Sequence, residues 1–245
     1  MPMGNILNRI FWELGISRNQ GIIILSIIAG VFAFIFFVLA VLIIRRRKYN
    51  KVIKVNLAGN KEGDDKQSED NYEPIVKRIK QVRKKYKSIL FTSIEAESLP
   101  VTIPVNVAMA LAKNKKRCLL IDLDLRRDAI AKAFGFSAEQ SGLRAKALQT
   151  EIENLWVWPS HNFSQSKQMN ILEIVERAQD KKSVDKFDLV LINAPSLLNS
   201  PDRKQIILAA QAAFLCTKNA PSEMKKLTEL IKPLYCTIIG RIQVP

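Results

Sequence analysis

The chain has 245 residues, 48% of them hydrophobic, and a net charge of +15, so it is long enough for one medium domain with appendages and apolar enough for a packed core. Its three cysteines, Cys118, Cys216 and Cys236, lie inside apolar runs at no metal-like spacing, which argues for buried thiols in a reducing compartment and against a disulfide framework. A single histidine, His161, excludes any metal site or relay that needs two histidines.

Residues 1–20 read as a short N-terminal segment in which Phe11 and Trp12 are candidates for an interfacial anchor. Residues 21–44, "GIIILSIIAGVFAFIFFVLAVLII", contain no charged residue. As a helix they measure about 36 Å, against roughly 30 Å of bilayer hydrocarbon. A cleaved signal peptide has a shorter apolar core and a small-residue cleavage site; here "RRRKYNK" follows, the mark of a stop-transfer anchor. One transmembrane helix is expected. Arg45, Arg46, Arg47, Lys48, Lys51 and Lys54 follow the span, whereas Arg9, Arg18 and Glu13 precede it. The positive-inside rule then predicts a single-pass membrane protein with its C-terminal bulk in the cytoplasm and its short N-terminus outside.

Residues 45–88 carry 15 Lys/Arg against 6 Asp/Glu, a local excess that calls for an anionic neighbour. Residues 45–72 read as a basic juxtamembrane segment followed by a flexible tether, because "NKEGDDKQSEDN" is polar and aperiodic. The cytoplasmic domain is placed at 73–245. It opens on "YEPIVKRIKQVRKKYKS", where Ile75, Ile79, Val82 and Tyr86 recur at helical spacing. Seven basic residues and no acid fill 77–87. That face is either plain solvated helix or a surface for anionic lipid, with Arg45, Arg46, Arg47, Lys48, Lys84 and Lys85 as the membrane-surface candidates. Nucleic acid is not expected as a partner, since no base-stacking aromatics are interleaved with these cations.

From residue 88 apolar strands alternate with helices. Strands are expected at 88–93, 117–125, 154–160, 187–193, 212–218 and 236–242, and helices near 104–114, 127–134, 170–181, 202–211 and 221–232. The alternation predicts an α/β fold, a parallel sheet with helices on both faces, preceded by the one transmembrane helix. The working site of such a sheet lies beyond the carboxyl ends of its strands. Three of those ends stand out: "FTSIEAESLPVTIPVNVAMALA" after the first strand, "LLIDLDLRRD" with Asp122, Asp124, Arg126 and Arg127, and "DLVLINAPSLLNSPD" with Asn193 and Pro195.

In order and spacing these three stretches resemble the cytoplasmic ATPase domain of bacterial tyrosine kinases from capsule and exopolysaccharide systems, a branch of the deviant P-loop group that includes the Min/Par-type ATPases. The resemblance covers about 88–245. Thr92, Ser93, Glu95, Thr102, Asn106 and Ala108 fall in register with the family's first motif, T-S-x-E-x-G-E-G-K-[ST]-T and the helix after it. Leu119 to Arg126 match its D-x-D-x-R motif, Leu191 to Ser196 match its D-x-P-P motif in frame, and Asp202 falls where the family often has another aspartate.

Within that resemblance the nucleotide-binding residues are replaced. The two loop glycines become Glu97 and Leu99, the phosphate-binding lysine becomes Pro100, the magnesium-binding hydroxyl becomes Val101, and the aspartate of the third motif becomes Asn193. Glycine permits the tight turn that embraces phosphate, and Pro100 removes an amide donor as well as a cation. Pro104 predicts that the following helix starts near it, at a first helical position. The C-terminal tyrosine cluster that the family phosphorylates is absent, Tyr235 being the one late tyrosine, and no E-x-x-R-x-x-R ring motif is matched, Glu73 having Val76 and Ile79 at those offsets.

These replacements lead to the expectation of a membrane-anchored protein without enzyme activity, a pseudo-ATPase or pseudokinase with no catalytic residue, metal or cofactor. It would act as a scaffold or regulatory subunit of an envelope export, secretion or polysaccharide assembly, with inner-membrane proteins and anionic lipid as partners and a homo- or hetero-oligomer as its state. The alternative is an active ATPase or kinase with an atypical loop and magnesium on Asp122 and Asp124. Those aspartates also have a structural reading, as strand-end carboxylates that cap the next helix and pair with Arg126 or Arg127. Trp156 and Trp158 alternate along one strand and so share a face, read as packing or as a partner surface.

Overall fold

The computed structural model describes residues 17–49, 52–54, 65–93, 99–125, 127–137, 147–162, 170–180, 186–194, 197, 200–218 and 221–244. The chain divides into two units, Met1–Tyr49 and Asn50–Pro245. The first holds helix α1, Arg18–Tyr49, within which Ser26–Ile44 is apolar and long enough to cross a membrane. The side chains of Ser26–Ile44 are exposed throughout, with Phe34 and Phe36 about 70% accessible. Such exposed apolar surface needs a nonaqueous partner.

Among the described residues the second unit holds an eight-stranded sheet in the order β1-β8-β7-β2-β6-β3-β5-β4. The strands are β1 Val52–Lys54, β2 Ser88–Ser93, β3 Cys118–Asp122, β4 Leu148–Gln149, β5 Leu155–Trp158, β6 Leu189–Ala194, β7 Ala212–Thr217 and β8 Thr237–Gln243. All neighbours run parallel except β4 against β5. The helices are α2 Asp65–Val82, α3 Thr102–Lys113, α4 Ala129–Ala133, α5 Ile171–Gln179, α6 Arg203–Ala209 and α7 Pro221–Ile231, with a 3-10 turn at Lys232–Leu234. β2, β3 and β6 are buried at every residue, which is why they read as unbroken apolar runs rather than alternating ones. Each of the six strands read from the sequence is present.

Two short strands and two helix boundaries differ from expectation. β1 pairs with β8, Val52 opposite Arg241 through Lys54 opposite Gln243, so part of the stretch read as juxtamembrane segment and tether is the edge of the sheet. α2 begins at Asp65, inside the same stretch, and ends at Val82; a turn continues it, with Arg83 N donating to Ile79 O at 2.8 Å and Tyr86 N to Val82 O at 3.0 Å. α3 begins at Thr102 instead of near Pro104. The first four amides of a helix have no intrahelical acceptor, so proline is tolerated one turn deep as well as at the first position.

The register of β8 carries one irregularity. Ala213 faces Ile238 and Phe214 faces Gly240, which leaves Ile239 as an extra residue. Its carbonyl accepts a hydrogen bond from Arg78 Nε of α2 at 2.9 Å, so the cation satisfies an oxygen next to the bulge. A Cβ on Gly240 would lie 2.5 Å from the Phe214 ring, and that ring stacks on Phe91 at 5.2 Å between centroids. Cys118, Cys216 and Cys236 are buried free thiols; burial raises all three, Cys118 and Cys236 to about 12. They are therefore poor nucleophiles and packing residues.

Candidate functional site at the carboxyl ends of the strands

The parallel register sets the carboxyl ends of β2, β6 and β3 side by side: Phe91 lies opposite Asn193, and Asn193 opposite Asp122. Thr92, Ser93, Asp122, Asp124 and Asn193 are all buried there. Buried polar groups need partners, and these have them. Asn193 Nδ2 donates to Asp122 Oδ1 at 2.8 Å, the Asp124 amide donates to the same oxygen at 3.0 Å, and the Ile130 amide of α4 donates to Asp122 Oδ2 at 3.4 Å. Asp122 therefore joins β3 to β6 and to the first turn of α4.

Asp124 faces Arg127 three residues on, and Nε of that guanidinium contacts its Oδ2. Burial pushes the Asp122 carboxyl up to about 6, and the charge of Asp124 adds to the shift while the hydrogen bonds from the Asp124 amide and Asn193 oppose it. A carboxyl so placed can gain or lose a proton near neutral pH.

The next carboxylate along, Asp128, was not anticipated from the sequence. It takes a left-handed backbone, with φ 45°, just before α4. Ser160 Oγ donates to its Oδ1 at 2.5 Å and His161 Nδ1 lies 3.1 Å from its Oδ2. This ties the loop after β3 to the segment after β5. Partial burial disfavours the charge of Asp128, but the bonds from Ser160 and His161 outweigh it and hold the carboxyl below its usual range. The serine bonds to the aspartate and not to the histidine, so this is no nucleophile–base relay. The available signal was "WPSH" directly after a strand, whose partner across the fold no local pattern names.

Of the first motif, Leu99 is fully buried, Pro100 partly so, and Val101 stands before α3 without a side-chain cap. Glu95 and Glu97 lie outside the described residues, as do Arg126, Pro195 and Ser196. Asp202 precedes α6 with no side-chain cap bond. Trp156 lies half-buried, edge-on to Phe187 at 5.4 Å and under Arg117 at 4.9 Å; Trp158 shares its face.

A magnesium-bound nucleotide, implied by the resemblance, needs a phosphate cation, a metal-binding hydroxyl and open carboxylates. The described residues do not fit it in that manner. Pro100 and Val101 stand at the lysine and hydroxyl positions, both Asp122 oxygens are taken, and Asp124 faces Arg127. No group of three His, Cys, Asp or Glu among the described residues is arranged to hold a metal.

No family model matches the chain. In an alignment 142 positions long that covers 51% of this chain, it is 29% identical to the tyrosine-protein kinase ptk of Acinetobacter johnsonii. The match takes in 18% of that relative, so the chain spans a minor part of the curated protein it resembles. Among solved structures, the chimerical protein CapA2B2 aligns at a TM-score of 0.60 and 18% identity, over 82% of this chain and 96% of that one. The kinase domain of the Escherichia coli tyrosine kinase ETK aligns at 0.58 and 16% identity, over 71% and 74%. MinD of Pyrococcus horikoshii aligns at 0.50 and 18% identity, over 64% and 70%.

The fold is accordingly that of the P-loop Min/Par-type domain found in bacterial tyrosine kinases, and the resemblance read from the three motifs holds. One expectation is corrected. The chain was expected to be no enzyme, yet the protein it resembles in sequence, ptk, and one of the solved domains it resembles in fold, that of ETK, are kinases by name. Replacement of loop residues does not by itself establish loss of activity.

Proposed function

We propose that this protein, whose second unit has the bacterial tyrosine-kinase fold, is a single-pass inner-membrane component of an envelope polysaccharide system. In that reading Ser26–Ile44 crosses the membrane, the basic residues after it keep Asn50–Pro245 in the cytoplasm, and that unit serves the assembly as a scaffold or regulatory subunit through contacts with other inner-membrane proteins, in a homo- or hetero-oligomer. The observation that carries the regulatory role is the carboxyl end of the sheet. There Asp122 is committed to Asn193, Asp124 and Ile130, so this carboxylate of the second motif braces the fold. The resemblance of the three strand-end motifs to tyrosine kinases of capsule and exopolysaccharide systems supports the polysaccharide setting, and the likeness to ptk supports the tyrosine-kinase side of that resemblance.

A second reading is favoured by the kinase names of the relatives: phosphotransfer with an atypical loop and magnesium on Asp122 and Asp124. It requires the Asp122 and Asp124 contacts to rearrange. One preparation separates the two. Intact protein extracted in mild detergent is expected to co-purify with inner-membrane subunits of a polysaccharide assembly; recovery of the protein alone defeats the scaffold role. Calorimetry on the same sample with ATP and magnesium reads the other arm, where saturable micromolar binding establishes nucleotide engagement.

A further inference from the structure

α2 divides its side chains between two duties. Tyr72, Ile75, Val76, Ile79 and Val82 are buried in the fold, and Arg78 is spent on the bulge carbonyl of Ile239. Lys77, Lys80, Lys84 and Lys85 remain exposed, together with Gln81. At 100° per residue Lys77 and Lys80 lie about 60° apart on α2, opposite the apolar stripe, and the turn that continues the helix carries Lys84 and Lys85. No described carboxylate pairs with any of the four, and Glu73 is the one acid between Asn71 and Lys87. The helix dipole favours bases at its C-terminal turn, but that effect fades beyond the last turn; Lys84 and Lys85 come after Val82.

We infer that the lysine face formed by Lys77, Lys80, Lys84 and Lys85 is a docking surface for the anionic headgroups of the bilayer. This rests on the reading of the chain as membrane-anchored. Charge complementarity selects the occupant. The face is a flat row of lysines, point charges without the planar fork of arginine, with no aromatic side chain exposed among them for a base to stack on. Tyr86 lies half-buried beneath Lys85, whose Nζ is 5.0 Å from the ring. A cationic surface of this kind gains about fivefold in membrane partitioning for each lysine near an anionic bilayer.

The test is lysine acetylation of the full chain in nanodiscs, read by mass spectrometry. One set of discs is phosphatidylcholine, the other an equal mixture of phosphatidylcholine and phosphatidylglycerol. Acetylation of Lys77, Lys80, Lys84 and Lys85 is expected to fall severalfold in the anionic discs and to recover in high salt, while exposed Lys204 and Lys226 label equally in both. In a variant with Lys77→Gln, Lys80→Gln and Lys84→Gln, protection of Lys85 is expected to vanish. Equal labelling of the lysine face in both discs, in a chain that has entered them, overturns this inference and leaves the anchored reading standing. A chain that stays out of the discs overturns both. Protection by added duplex DNA but not by phosphatidylglycerol also overturns it, and makes the face a nucleic-acid surface.

Discussion

Asp122 and Asp128 are six residues apart on either side of one strand-end loop, and their environments drive them in opposite directions. Asp122 is walled in, with neutral donors as partners, and its carboxyl rises to about 6. Asp128 keeps one side toward solvent, takes a hydroxyl and an imidazole, and falls below its usual range. Burial costs a carboxylate more than neutral hydrogen bonds return, whereas modest burial is offset by two good donors. The buried residue is therefore the one whose removal the fold feels, and the half-exposed one is the one that stays charged.

The widest separation between the two comes from Asp122→Ala, which leaves Asn193 Nδ2 and the Asp124 and Ile130 amides without their acceptor. A loss of about 3 kcal/mol in urea denaturation of the detergent-solubilised chain is expected. Arg127→Gln comes next. It leaves the buried Asp124 carboxylate without its cation, and because Arg127 is 42% exposed the expected loss is nearer 2 kcal/mol. Asp128→Asn weakens the Ser160 and His161 bonds and is expected to cost about 1 kcal/mol at neutral pH. Glu173→Gln, which breaks the exposed pair with Arg177, sets the floor at about 0.3 kcal/mol.

The dependence on pH sharpens the contrast further, because the two signs are opposite. The folded Asp122 carboxyl titrates at about 6, above the unfolded value of 3.8, so its stabilising contribution is complete below the unfolded value and drains away as pH climbs through 6. Asp128 has a lowered folded value, so its contribution is present above the unfolded value and is lost as pH drops through the folded one. A stability profile of the Asp122→Asn chain is expected to lose the decline between about pH 4 and 6 and to keep the acid limb that Asp128 helps to set. An unchanged decline would place its origin in another group.

The strands were legible because burial on both faces writes itself as apolar runs: "SILFTS" is β2, residue for residue. β1 and β4 were not. Three residues beside a basic segment, or two after a polar one, carry no period of their own, and only pairing with β8 or β5 makes them strands. For the same reason the stretch read as tether took in the start of α2, whose first turns are as polar as any linker. At the site, the structural reading of Asp122 and Asp124 was available from their place at a strand end. The clasp of Ser160 and His161 on Asp128 was not, since it closes across about thirty residues with no shared motif. The inference from missing loop residues to missing activity went beyond what composition supports, as the kinase relatives show.

Gly240 makes the sheet directional in assembly. The Phe214 ring occupies the volume where any larger residue at that position would put its first side-chain carbon, and a strand's inward set repeats every second residue. Sliding β8 two places either way would bring Ile238 or Ile242 beneath that ring. The notch thus works as a keyway, admitting one alignment of the C-terminal strand and, through it, one seat for the strand beside it.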